Sequence, residues 1–357
     1  MRALLIVAAV VQTASAKPHL AWTYDKLADT GHRDYLVAIT PTHDVAVADY
    51  DGARLLRDGK VVWSVAGSFV NGVLGKTAIA TFDVTSQNIR MFELATGKEI
   101  PVELHGTPYG LGVRGDDFVV QLSEHPDAAK PRFELDRLVT TGRTTKLFDL
   151  PADAFSAEWI YTTADRVAFV QDQHLYVTDT HGNRKCALTG RFPGVGFDIA
   201  GNTLAYSDSV FAFVAPLDKL TGTIDLTKSP KLAVATATKK LVDNKYLPGA
   251  IPNPDAQAYE VHDLPNTINY FGPTTWSLAF PSIVMGPPTG DAKYVYASRD
   301  AGDKGKGDYV FAIDRATGKL AWEIDVGASG SGVQSKILTR DGYVVVEDGK
   351  QLFVIAP

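Results

Sequence analysis

The chain has 357 residues, 45% hydrophobic and 21% charged, with a formal net charge of −6 at pH 7. These values exclude a disordered chain, a collagen and a coiled coil, and they supply ample apolar material for a large core. The acidic balance leaves no basic footprint for nucleic acid. At about 150 residues per domain the length admits two domains, although all-β units often run longer as one.

The first sixteen residues stand apart. Met1-Arg2 is a short positive start, residues 3–11 are an apolar run, and Thr13-Ala14-Ser15-Ala16 ends in an A-x-A cleavage signature. The run is too short for a bilayer, which needs ~20 residues. A buried N-terminal strand or helix would not explain that order of charge, apolar run and small residues. Residues 1–16 are therefore expected to be a signal peptide, and 17–357 an exported, soluble domain, periplasmic or secreted. Lys17 stands where a lipoprotein needs Cys, so no lipid anchor is expected. No later run suits a membrane span.

From residue 20 onward strand signals dominate. The segments 35–39, 117–121, 166–170 and 343–346 are short, rich in β-branched and aromatic residues, and bounded by Gly, Asp, Asn or Pro. No segment after the signal peptide reads as a helix. A strand, a Gly turn and a second strand with a large residue four positions after the Gly recur. Copies are Arg57-Asp58-Gly59-Lys60-Val61-Val62-Trp63, Ala95-Thr96-Gly97-Lys98 with Pro101 at the Trp place, and Ala316-Thr317-Gly318-Lys319-Leu320-Ala321-Trp322. Fainter copies centre on Gly142, Gly182 and Gly222. The first five Gly positions lie 38–45 residues apart, and the gap to Gly318 is about twice that. A degenerate copy is expected at Tyr259-Glu260-Val261-His262-Asp263, with Phe271 at the Trp place.

The two ends complete one repeat. Residues 351–357 read as the strand before the turn, and Lys17 to Trp22 as the strand after it. In a ring the N-terminal strand closes the last blade, which removes exposed edges. The fold class expected is all-β: a β-propeller of eight four-stranded blades, or seven if 229–274 is one long insertion. One blade is expected at 278–285, 293–299, 309–314 and 320–326, and the last at 333–339, 343–347, 351–356 and 20–24.

Three longer segments, 124–132, 246–257 and 300–308, are expected between the second and third strands of their blades. Such connections open on one face, and repeat proteins often bind through one decorated face. The candidate binding-face residues are Glu124, His125, Tyr246, Asn253, Asp300, Asp303 and Asp308. The competing reading is a set of tolerated surface insertions. Asp300, Asp303 and Asp308 do not have EF-hand spacing, and two lysines among them oppose calcium. Tyr109, Trp159 and Trp276 either line a channel mouth or pack between blades.

Local catalytic motifs are missing from the sequence. Among the eight histidines none has HExxH or HxH spacing, although distant ligands can converge in a ring. No GxSxG elbow or P-loop occurs. Gly327-Ala328-Ser329-Gly330-Ser331-Gly332 reads as a flexible connection. The single Cys186 excludes an intramolecular disulfide and Cys-based zinc sites, and its strand-like setting suits a small buried hydrophobe.

The Ala-Thr-Gly-Lys-x-x-x-Trp pattern resembles the PQQ-type, quinoprotein-like β-propeller repeat, most clearly at 310–322. The resemblance implies an eight-bladed propeller. It does not imply the quinone: members that bind PQQ carry an adjacent-cysteine disulfide, which one cysteine cannot form. No cofactor, metal or catalytic residue is assigned, and a PQQ dehydrogenase is not expected. The resemblance points to the non-enzymatic scaffold branch. The expected function is non-catalytic binding of a protein or cell-envelope ligand by a monomer. The alternative is a propeller hydrolase or lyase with its active site at the central funnel.

Overall fold

A computed structural model of the protein describes residues 17–25, 27, 36–114, 116–124, 132–150, 159–163, 165–171, 174–189, 196–200, 203–207, 212–225, 250–252, 259–263, 267–271, 275–280, 284–299, 308–327, 336–348 and 351–357. Residues 1–16 lie outside the described residues, as do His125, Tyr246, Asn253, Asp300 and Asp303. Among the described residues there is no α-helix. The strands fall into eight sheets.

Strand β1 (His19–Tyr24) opens the chain. Sheet one is β2 (Leu36–Ile39), β3 (Val45–Asp49), β4 (Gly52–Arg57) and β5 (Lys60–Val65). Sheet two is β6 (Phe69–Leu74), β7 (Ala78–Asp83), β8 (Asn88–Glu93) and β9 (Glu99–Ile100). Sheet three is β10 (Thr107–Arg114), β11 (Asp117–Ser123), β12 (Glu134–Leu138) and β13 (Thr144–Asp149). Sheet four holds β14 (Trp159–Thr162), β15 (Val167–Gln171), β16 (His174–Thr178) and β17 (Arg184–Thr189). Sheet five is β18 (Gly196–Ala200), β19 (Thr203–Ser207) and β20 (Ala212–Pro216). The next strand, β21 (Gly222–Asp225), joins sheet four instead, parallel to β17. Sheet six is β22 (Ala250–Pro252), β23 (Tyr259–Asp263), β24 (Thr267–Phe271) and β25 (Thr275–Ala279). Sheet seven is β26 (Val284–Gly290), β27 (Tyr294–Arg299), β28 (Asp308–Asp314) and β29 (Leu320–Gly327). Sheet eight is β30 (Lys336–Arg340), β31 (Tyr343–Asp348) and β32 (Gln351–Ala356), with β1 as its outer strand.

Burial explains the composition of these strands. A middle strand is covered on both faces by neighbouring sheets, so β3 is buried along its whole length. An outer strand is half solvated, so β29 alternates exposed and covered residues over most of its length. Ala46, Ala48 and Leu55 of sheet one pack with Phe69, Ile79 and Phe92 of sheet two. The same layering joins sheets two and three, and sheets three and four. It also joins sheets six and seven, and sheets seven and eight. Sheet eight in turn packs on sheet one through Val345, Leu352, Val354, Val37, Val45 and Leu56. The first strands of successive sheets are neighbours: β2 and β6, β6 and β10, β10 and β14, then β18 and β22, β22 and β26, β26 and β30, and β30 and β2.

The recurring Gly and Trp form a lock between sheets. Trp63 of sheet one donates from Nε1 to the Leu94 carbonyl at 2.9 Å and lies over Gly97 in the turn of sheet two. Trp276 of sheet six does the same to the Arg315 carbonyl at 2.8 Å, over Gly318 of sheet seven. A Cβ at Gly97 or Gly318 would sit 2.6 or 2.5 Å from the indole. Both glycines have positive φ, 69° and 66°. The turn and the close approach therefore both require Gly.

Four expectations are corrected here. The first strand of sheet seven is Val284–Gly290, not 278–285, and Leu278 belongs to β25. The copy at Tyr259–Asp263 is a second strand rather than a third, so Trp276, not Phe271, takes the locking place. Segment 246–257 contains β22, a first strand, so it does not lie between second and third strands. The strand after Gly222 leaves its hairpin and pairs with β17. The pairing of β1 with β32, from His19↔Ala356 to Tyr24↔Leu352, is as expected.

Candidate functional site

Antiparallel alternation puts the connections between second and third strands at the same end as the entries into first strands. At that end, sheets two and three carry two features side by side.

The first is a cleft of about 380 Å³ lined by Val70, Asn71, Phe82, Val84, Ile89, Tyr109 and Leu111, among others. Its shape comes from two β-bulges. One interrupts β6 between Val70 and Val73, and the other interrupts β10 between Pro108 and Gly110. Bulges re-aim side chains. The residues they release, Asn71 and Tyr109, both line the cleft, and both are exposed. Asn71 has φ of 50° and Gln87, also on the wall, 53°. Tyr109 is held edge-on to Phe133 with ring centroids 5.1 Å apart. Val84 and Tyr109 are each 42% exposed and give the cleft an apolar rim.

The second feature is a cluster of His105, Glu134 and Asp136, with ligand-type atoms of all three within 4.8 Å of one another. His105 lies on the connection that enters β10. Glu134 and Asp136 are two apart on β12, so they share one face of the sheet. That face also carries Leu138 and looks toward sheet two. His105 Nε2 donates to Glu134, while its Nδ1 is 3.7 Å from Asp136. Lys146 donates to Glu134 and to Asp149, 2.6 Å each.

The electrostatics are uneven. Burial, and then the Glu134 charge, push the Asp136 carboxyl up to about 6. Burial acts on Glu134 as well, but hydrogen bonds from Lys146 and His105 outweigh it and hold that carboxyl below its ordinary range. The hydrogen bond to Glu134 raises His105, with Asp136 and Glu124 adding to it. Bonds to Asp149 and Glu134 raise Lys146.

Of the sequence-predicted residues, Glu124 directly follows β11 at this same rim and is exposed. Asp308 is half-buried at the start of β28 in sheet seven, and the structure does not bring it to Glu124's cluster. The other five lie outside the described residues. Trp276 is a packing residue. Cys186 is buried in β17, and burial pushes its thiol up to about 11, far from a reactive thiolate. His105, Glu134 and Asp136 were not singled out by the sequence. The available signal was Glu-x-Asp inside an apolar strand, two carboxylates at positions where β28 buries Val310 and Ala312.

No family model and no curated protein matches the chain. Solved structures do. BamB from Moraxella catarrhalis is 10% identical, covering 96% of this chain and 100% of its own, with a TM-score of 0.56. Sqt1 from Saccharomyces cerevisiae is 13% identical, covering 93% and 98%, with a TM-score of 0.59. AztD from Citrobacter koseri is 15% identical, covering 88% of each chain, with a TM-score of 0.51. These likenesses show a β-propeller fold. Among the described residues no helix is long and apolar enough to cross a membrane.

Proposed function

We propose that this chain is an exported propeller of eight blades that acts by binding a protein or cell-envelope ligand. The observation that carries the reading is the pair of adjacent bulges that turn Asn71 and Tyr109 into one cleft. The cleft opens on the face that bears the 124–132 connection. Sheet seven breaks its first strand too, between Met285 and Thr289, so the support comes from two breaks that open on one shared cleft. Four strands within 250–279 form a sheet of their own, which supports eight blades over seven. The pairing of β1 with β32 and the contact of sheet eight with sheet one support a closed ring. The order of charge, apolar run and small residues at 1–16 supports export.

The cluster at His105 lies on a third strand and an inter-sheet connection, away from the first strands that line a propeller's centre. That position favours binding over an active site at the central funnel. The test is a double change, Tyr109→Ser with residues 125–131 replaced by a short turn. Cross-linking to a purified envelope fraction should fall at least several-fold with the circular dichroism spectrum unchanged. Unchanged cross-linking would defeat the binding-face reading. Amino-terminal sequencing of the exported protein should start at Lys17, and a retained Met1 would defeat export.

A further inference from the structure

We infer that His105, Glu134 and Asp136 form a binding site for a divalent cation of the zinc class. The inference goes beyond the partner reading and does not depend on it.

Asp136 carries the argument. Its side chain is fully buried, and neither carboxylate oxygen accepts a hydrogen bond. Buried polar groups are almost always paired, because an unpaired one keeps the whole desolvation penalty. Asp136 faces an imidazole whose nearer nitrogen is 3.7 Å away, too far for a hydrogen bond. The neighbouring cations are engaged elsewhere. Among the described residues Glu134, Asp136 and Asp149 are three carboxylates; Lys146 is engaged with Glu134 and Asp149, and His105 with Glu134. Glu124 adds further negative potential. A divalent ion between His105 and Asp136 would balance this excess and occupy the idle oxygens.

The donor set selects the ion. One imidazole nitrogen with two carboxylate oxygens suits zinc and its neighbours, with bonds of about 2.0–2.2 Å. Calcium and magnesium prefer oxygen alone. The present separations need a small inward movement, and His105, 43% exposed, can make it. Its exposure also gives the ion a path in, while Asp136 and Glu134 form the closed end. Lys146 would remain on the second oxygen of Glu134, fixing the carboxylate's orientation from the outer shell.

The test is calorimetric titration of the metal-stripped full chain with Zn²⁺ alone at pH 7.5. Saturation near one ion per chain is expected. Asp136→Asn and His105→Gln should each weaken binding by more than about a hundredfold, beyond the ~10–100-fold typical of outer-shell changes. Mg²⁺ should bind far more weakly than Zn²⁺. Absence of Zn²⁺ binding overturns the site, as does equal affinity for Mg²⁺. If Asp136→Asn fails to fold, His105→Gln decides alone, because it alters an exposed side chain. Unchanged affinity in that variant places the ion elsewhere and overturns the assignment.

Discussion

The third strands of sheets seven and three occupy the same place in their blades and have opposite chemistry. In β28 Val310, Phe311, Ala312 and Ile313 are all buried and all apolar. In β12 Leu135 and Leu138 are buried in the same way, but Glu134 and Asp136 share that interior with them. A repeat fold asks every blade for the same apolar middle, so β28 is what packing alone selects. Carboxylates in β12 act against packing. The Asp136 charge is held without a hydrogen bond, which costs the fold free energy. The difference separates residues that build the stacked sheets from residues the sheets accommodate.

The largest effect should come from breaking the packing strand. Phe311→Ala removes a fully buried ring that lies 4.3 Å, centroid to centroid, from Phe280, which directly follows β25. A loss of about 3–5 kcal/mol is expected for such a cavity. Urea unfolding checks it, and a loss under ~1 kcal/mol would show that β28 is not a core strand. Next is the lock. Gly318→Ala puts a Cβ into the Trp276 indole and an L residue at φ of 66°. Strain of about 1–3 kcal/mol and loss of the Trp276 to Arg315 hydrogen bond, about 1 kcal/mol, add to roughly 2–4. Trp276 fluorescence should shift red as the indole is released.

The packing side of this comparison was largely legible in sequence. Gly59, Gly97, Gly142, Gly182, Gly222 and Gly318 were picked out by spacing, and all six have positive φ. The partnership of the two chain ends was legible too, because each supplies half of one hairpin. Sheet six was misread by one strand. In the sequence Gly272 stands four residues before Trp276, the same spacing as Gly59 and Trp63, but Tyr259-Glu260-Val261-His262-Asp263 resembles the strand before the turn more closely. The parallel pairing of β21 with β17 is a contact between blades, which no local pattern encodes. The His105 cluster escaped for a similar reason. His105 stands 29 residues before Glu134 and meets it only because β10 to β12 fold back as a meander. Metal motifs are legible when their ligands lie on one turn of chain, and these do not.

The smallest effect tests the accommodating strand, and its sign is opposite. The folded state holds the Asp136 proton up to about pH 6, whereas its ordinary value is 3.8. Between those limits the folded protein binds the proton and the unfolded chain releases it. Asp136 therefore weakens the fold progressively as pH rises from 3.8 to 6, and adds no further loss above. A shift of this size corresponds to about 1–3 kcal/mol, the upper end being the full linkage value. Asp136→Asn removes the ionisation and keeps the shape. Measured with chelator present, the variant should gain stability over the parent progressively across pH 4–6; above pH 6 the His105 proton, which the Asp136 charge helps to hold, also enters the difference. Other carboxylates such as Glu99 and Asp314, held below their ordinary values, change stability at lower pH and equally in both proteins, so they cancel from the difference. A difference curve flat across that range would mean that Asp136 is ionised at no cost, and the contrast between β12 and β28 would be one of side-chain type alone.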